Sequence, residues 1–256
     1  MKIAIASLAV GHLYRFACLE GKKSKEQYCK KQGYDFIYAT KSENPSCHPS
    51  WSKIKLLQRI LQHYDWVLYL DADTVIMDDT ISVDSLIDSN YSFQICRESV
   101  GTIQNVNAGV FLIKNTPLMH QFLDDIWSRD KFTGYSFWEQ SAIWQILEEE
   151  NPYASEIKIL SQNDMNSFAW EVCLPIGADQ SRPGVYQEGD FLVHFAMGKL
   201  PMKPLLVFLL MKKYIGKLVV LRPVIHLFSW VASIIGTFHP IGKKGNQYLR
   251  GKILAK

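Results

Sequence analysis

Apolar residues gather into short continuous runs, with helically spaced stretches between them. Lys2 to Ser7, Asp35 to Ala39, Trp66 to Leu70, Ser92 to Cys96 and Val110 to Ile113 each read as a buried strand bounded by turn residues. Between them, Ser50 can cap a helix that carries Ile54, Leu57, Ile60 and Leu61 on one face. Thr116-Pro117 opens another with Met119, Phe122, Leu123 and Ile126, and a third covers Trp138 to Glu148. Strands alternating with helices predict an α/β sandwich around a largely parallel sheet. Beyond Ile159 the pattern weakens into a polar stretch up to Gly189, expected to close over the sheet edge. Phe191 to Phe195 then returns as one more strand.

Charge divides the chain into residues 1–200 and 201–256. The first part holds 18 Lys and Arg against 25 Asp and Glu, whereas the second holds 10 against none. The second part also contains Leu205 to Met211 and Val224 to Phe238, apolar runs that fall short of the roughly 20 residues of a spanning helix. Apolar segments with basic and no acidic residues predict a helical tail lying on an anionic membrane surface, with a helical pair packed on the domain as the alternative. At 48% hydrophobic residues, the 256-residue chain can bury a full core. Its five scattered cysteines lack metal or redox spacing, which suits a reduced cytosolic protein. Met1-Lys2 and Ile3 to Val10 superficially look like a signal peptide. His12, Tyr14 and Arg15 follow at once without a cleavage pattern, so Ile3 to Ser7 is read as a buried first strand.

The strand Trp66 to Leu70 delivers Asp71-Ala72-Asp73 at its C-terminal end, where open α/β sheets bind ligands. Residues i and i+2 of an extended chain point the same way, so both carboxylates can converge on one hard cation. The string also matches the nucleophile motif of haloacid-dehalogenase-type phosphatases, with Asp71 as nucleophile. That chemistry needs a downstream Lys and a second acidic pair, yet Gly189-Asp190 is followed by Phe-Leu-Val-His. Its motif also normally lies on the first strand, whereas here at least two strands precede it.

Five ordered blocks carry a more specific likeness. They are Trp51-Ser52-Lys53, Tyr69 to Thr74, Asn107-Ala108-Gly109 running into Val110 to Ile113, Glu139-Gln140-Ser141-Ala142, and Gly189 to Phe195. In these, Lys2 to Gly198 resembles retaining glycosyltransferases of the GT-A fold, most closely the family of yeast α-galactosyl- and mannosyltransferases and plant xyloglucan xylosyltransferases. Glycogenin-like enzymes are next nearest. The resemblance implies a GT-A nucleotide-diphospho-sugar transferase fold, a nucleotide-sugar donor, and a glycan or glycolipid acceptor without nucleic acid. It also implies a divalent metal held by Asp71, Asp73 and His194. An imidazole beside two carboxylates suits Mn2+ at least as well as Mg2+.

By the same resemblance, Gln140 lies beside the anomeric carbon and Glu139 against the donor sugar, although relatives mostly carry Asp at that position. An acid in a helix's first turn is also favoured by the helix dipole alone. Asn107 is expected to bind sugar hydroxyls, with Ala108 and Gly109 letting the backbone approach before a strand begins. Ser7 would lie near the base, and Lys53 and Lys199 would face phosphate or sugar. The last block, His194-Phe195-Ala196-Met197-Gly198-Lys199, is one residue longer than the family's usual His-Phe-x-Gly. The expected protein is a sugar transferase, peripheral on the inner face of a membrane. A phosphatase and a non-catalytic membrane-bound sugar-binding module are the alternatives.

Overall fold

The computed structural model describes residues 1–43, 46–100, 105–135, 137–196 and 203–216. Lys199 and residues 217–256, most of the tail, lie outside the described residues. Strands β1 (Ile3–Leu8), β2 (Asp35–Ala39), β3 (Trp66–Leu70), β4 (Thr74–Ile76), β5 (Phe93–Arg97), β6 (Val106–Lys114), β7 (Ile157–Leu160), β8 (Ser167–Phe168) and β9 (Leu192–His194) are interleaved with helices. The helices are α1 (His12–Ala17), α2 (Leu19–Gln32), α3 (Ser52–Ile60), α4 (Val83–Leu86), α5 (Pro117–Ser128), α6 (Trp138–Glu148), α7 (Gln162–Met165), α8 (Trp170–Cys173) and α9 (Lys203–Tyr214).

Six strands form the main sheet, in the order β2-β1-β3-β6-β5-β7. β1 pairs in parallel with β2 and β3, and β5 with β7, whereas β6 runs antiparallel to both of its neighbours. The connection from β5 to β6 is shorter than the dozen or so residues that a parallel crossover needs, so β6 must reverse. Helices cover both faces, which is why β3 is apolar throughout. Trp66, Leu68 and Leu70 join Ile5, Tyr28 and Leu112 on one side, while Val67 and Tyr69 join Leu57, Phe111 and Phe122 on the other. The strands expected from the apolar runs are present to within a residue or so, except that β6 begins at Val106. The expected opening of α3 also shifts. Ser50 sits in a one-turn helix, Pro49–Trp51, whose cap is the His48 side chain, and α3 starts at Ser52. Thr116 caps α5 as expected, accepting from the Met119 amide at 3.3 Å.

A second sheet of three short strands, in the order β4-β9-β8, lies beside the C-terminal end of β3. α2 passes over this region so closely that a Cβ on Gly21 would sit 2.5 Å from the Thr74 carbonyl oxygen and 2.7 Å from that of Ala72. One turn further on, the fully buried Lys25 ammonium donates to the carbonyls of Thr74 (2.8 Å), Gly21 (3.3 Å) and Ala72 (3.5 Å). Burial pulls this lysine down to about 8, with nearby negative groups opposing the shift.

α9 is part of the same packed body, which therefore continues past residue 200. Leu206 is buried, and Val207, Leu210 and Met211 join a cluster with Ala17, Cys18, Val75 and Val193. Lys212 meets the buried Glu20 at 2.6 Å, Lys213 pairs with the buried Glu171, and the Tyr214 hydroxyl donates to Glu171 at 3.1 Å. Among the described residues, no helix is long and apolar enough to cross a membrane.

Candidate active site

Asp71 follows β3 directly, and its amide donates to the Gly109 carbonyl at 2.7 Å. The Thr74 hydroxyl and amide both return to the Asp71 carbonyl, at 2.9 and 3.2 Å, closing a turn that keeps both carboxylates beside the strand end. His194 arrives from 120 residues further along because β9 pairs antiparallel with β4, placing Thr74 opposite His194, and the Phe195 amide donates to the Asp73 carbonyl at 2.8 Å. One ligand atom each from Asp71, Asp73 and His194 lies within 4.8 Å of the others.

Orientation of the imidazole fits a metal. His194 Nδ1 lies 2.8 Å from Asn166 Oδ1, while Nε2 lies 3.4 Å from Asp73 Oδ1. The Asn166 amide nitrogen is already donating to Asn107 Oδ1 at 3.0 Å, so its oxygen must accept. That assigns the proton to Nδ1 and leaves Nε2 as a lone-pair donor facing the carboxylates, the arrangement of a metal-ligating histidine held by an outer partner. Gly109 makes room for it: a Cβ there would collide with His194 Cε1 and lie 2.9 Å from Asn107 Oδ1 and 3.0 Å from Asp71 Oδ2. Asn166→Leu is expected to weaken Mn2+ binding between tenfold and a hundredfold in a calorimetric titration, because Nδ1 loses its acceptor. Asn166→Asp, which keeps an acceptor, should recover most of the affinity.

Asn107, Ala108 and Gly109 lie inside β6 rather than ahead of it. Pairing with β5 slips there, since Ile95 faces Phe111 while Arg97 faces Val106. The extra residues form an irregular bulge, a device that re-aims side chains next to sites. Asn107 Oδ1 accepts from the Gly109 amide (3.0 Å) and from Asn166, and its nitrogen donates to Glu98 at 3.3 Å, so Asn107 serves as an internal brace. The Ala108 amide donates to Gln140 Oε1 at 2.8 Å, and its carbonyl accepts from Lys53 at 2.9 Å. Glu139 and Gln140 are buried at the start of α6, directly after Trp138, whose φ of 46° is uncommon for so bulky a residue. The Trp138 ring stacks on His48 with centroids 3.5 Å apart.

Lys53 borders the cavity and also makes a pairing that the sequence does not show. Its ammonium is buried between Asp71 (3.1 Å) and Glu139 (2.8 Å). Burial opposes the charge, but the two carboxylates together outweigh it and hold the lysine above its ordinary value. Glu139 spends Oε1 on this pair, while Oε2 is buried without a partner. Ser7 is also buried, in β1, and does not line the cavity. Strand alternation sends it to the opposite face from Leu8, which does line the cavity together with Val10.

Every other sequence-derived site residue among those described borders one cavity of about 430 Å³. Residues not anticipated join them. Burial above all, then the charge of Asp73, holds the Tyr14 phenol well above its usual range; burial and Asp71 do the same for Tyr69. Both phenols hydrogen-bond the carboxylates they face and remain neutral donors. Glu98 also borders the cavity, and burial raises its carboxyl. Tyr69 was recoverable by parity, two residues before Asp71 on the same side of β3. No local pattern marks Asn166 or Glu98.

A mostly parallel six-stranded sheet with a carboxylate pair at the end of β3, met there by a histidine from the adjoining three-stranded sheet, matches a GT-A-type sugar transferase fold. The profile of the galactosyl transferase GMA12/MNN10 family matches residues 16–99 and 99–200, and the chain belongs to that family. It is 25% identical over 213 residues to a probable α-1,2-galactosyltransferase, gmh1, of Schizosaccharomyces pombe, a match covering 68% of this chain and 61% of that protein. It is 22% identical to the probable α-1,6-mannosyltransferase MNN10 of Saccharomyces cerevisiae, over 68% of this chain and 53% of that one. The chain thus spans little more than half the length of these curated relatives. A glycosyltransferase involved in the glycosylation of the major capsid of PBCV-1 superposes with a TM-score of 0.66 at 16% identity, covering 83% of this chain and 100% of that one, which establishes the shared fold. Family membership sets aside the phosphatase alternative.

Proposed function

We propose that this chain transfers a sugar of the galactose, mannose, glucose or xylose class from a nucleoside-diphosphate donor to a hydroxyl of a glycan or glycolipid, with retention of anomeric configuration. The metal would be Mn2+, or Mg2+, on Asp71, Asp73 and His194. The observation that carries this reading is the convergence of these three ligands, with the histidine proton set by Asn166, inside one cavity. The galactosyl- and mannosyltransferase relatives support the sugar class. When bound, the cation would neutralise a departing diphosphate.

The protein's own groups divide the remaining work. Asp71 and Asp73 are held at the strand end by the turn, by Tyr69 and Tyr14, and by Lys53. Glu139 lines the cavity, and its Oε2 is a buried acceptor without a partner beside it, which a sugar hydroxyl would satisfy on entering. Gln140 is anchored through its oxygen to the Ala108 amide, which fixes the plane of its amide beside the bulge of β6. Gln140→Ala is therefore expected to lower the turnover number at least tenfold with a smaller change in donor Michaelis constant, since a rigid dipole at the reacting centre acts mainly in the transition state. An unchanged turnover number with a raised Michaelis constant would demote Gln140 to ordinary binding. Glu139→Gln should lose less turnover.

The same proposal places the protein peripherally on the inner face of a membrane through the basic apolar tail, whose segment 201–256 carries ten basic and no acidic residues. The overall test is a screen of nucleotide sugars for Mn2+-dependent thermal stabilisation and donor hydrolysis. Stabilisation follows from ligand binding to the native state. A chain that binds donor without ever turning it over is a sugar-binding module, and the transferase reading falls.

A further inference from the structure

From Pro204 to Met211, α9 is apolar all round, yet only part of that surface is buried. Leu206, Val207, Leu210 and Met211 are buried, Phe208 and Leu209 are half-buried, with Phe208 packed against the edge of the body, and Leu205 is 43% exposed. A helix of this composition belongs in a core or against lipid. α1 extends the same surface. Leu13 is 76% exposed and Phe16 60%, and the Phe16 ring stacks on Phe208 with centroids 5.1 Å apart. Large side chains at such exposure are normal when isolated, but contiguous ones mark an interaction surface.

We infer that Leu13, Phe16, Leu205 and Phe208 form a docking face that inserts into the interfacial region of a bilayer containing anionic lipid. Charge selects this occupant. Arg15 is exposed on the same turn as Leu13 and Phe16, and α9 leads into residues 217–256, which contain seven Lys and Arg and no Asp or Glu. Apolar insertion and basic attraction reinforce each other at such a surface. α1 also carries Tyr14, which lines the cavity, as does Val10 just before it. Docking by this face therefore brings the cavity wall to the lipid surface, and a lipid-linked acceptor follows from it only if the proposed transfer is right.

The test is flotation of the full-length chain with phosphatidylcholine vesicles, with and without phosphatidylserine, at low salt. The wild type should float with the anionic vesicles. Leu13→Glu/Phe16→Glu should lower its bound-to-free ratio at least tenfold, with melting temperature and donor hydrolysis in solution unchanged. Leu205→Glu, on the other helix, should show a loss in the same direction. Equal flotation of wild type and both variants would assign any binding to residues 217–256 alone and overturn the docking face. So would a wild type that does not float, or variants whose one effect is to convert a dimer to a monomer in sedimentation. Hydrolysis and flotation are read separately, so a chain that floats without hydrolysing any donor keeps the docking face and removes the transferase reading.

Discussion

Replacing Asp71 or Asp73 with Asn is expected to reduce Mn2+-supported donor turnover at least a hundredfold while leaving the protein folded. One oxygen of each carboxylate and one ring nitrogen of His194 lie within 4.8 Å of one another, so each substitution removes a charge from the place where a cation would be held. Stabilisation of developing charge at such a point is worth about 3 kcal/mol or more, which corresponds to the stated rate loss. The turn itself uses the Asp71 carbonyl and the Asp73 carbonyl rather than their side chains, so Asn preserves it. Steady-state kinetics with saturating metal, alongside a circular dichroism melt, checks both halves. Near wild-type turnover in either variant removes the metal assignment.

Lys53→Met is expected to destabilise the fold by about 3–5 kcal/mol, because removing one member of a buried ion pair leaves the other charge uncompensated. The side chains of Lys53 and Glu139 are 3% and 4% exposed, and Asp71 shares the same ammonium. A lysine that only touched a donor phosphate would cost donor affinity and leave stability alone, so denaturant unfolding separates the two roles. Lys53→Met/Glu139→Gln should regain much of the lost stability, since the second change removes the stranded charge. The sign with pH follows from the raised lysine. Its contribution is fully present below the ordinary lysine value of about 10.4 and is lost only as pH climbs through the higher folded value. Near-neutral and mildly alkaline unfolding curves of the wild type should therefore show no loss from this pair.

Much of this architecture was legible along the chain because its periods are strong. β3 is apolar on every residue, since both of its faces are covered, and α5 and α6 have clear starts at Thr116-Pro117 and Trp138. Short elements were not legible. β4 and β8 have three and two residues, too few to show alternation, and they are held by pairing with β9, which lies within the run Phe191 to Phe195 expected as a strand. β7 was lost where the polar stretch begins, although Ile157 is buried at the sheet edge. The bulge in β6 hid the true start of that strand, because a sequence shows residue order and not the partner against which an extra residue becomes a bulge.

The sequence by itself determined the α/β class, the delivery of Asp71 and Asp73 at a strand end, and the short set of residues from which a sugar-transferase site could be built. These follow from local periodicity and from blocks whose order survives without coordinates. Only the tertiary structure decided which charges are shared. It joined Lys53 to Glu139 and Asp71, used Asn166 to set the proton on His194, turned Ser7 away from the cavity, and drew α9 into the body through Glu20 and Glu171. Each of these depends on distance between residues far apart in sequence, and electrostatic and hydrogen-bond energies are set by that distance and by burial, neither of which a linear pattern contains.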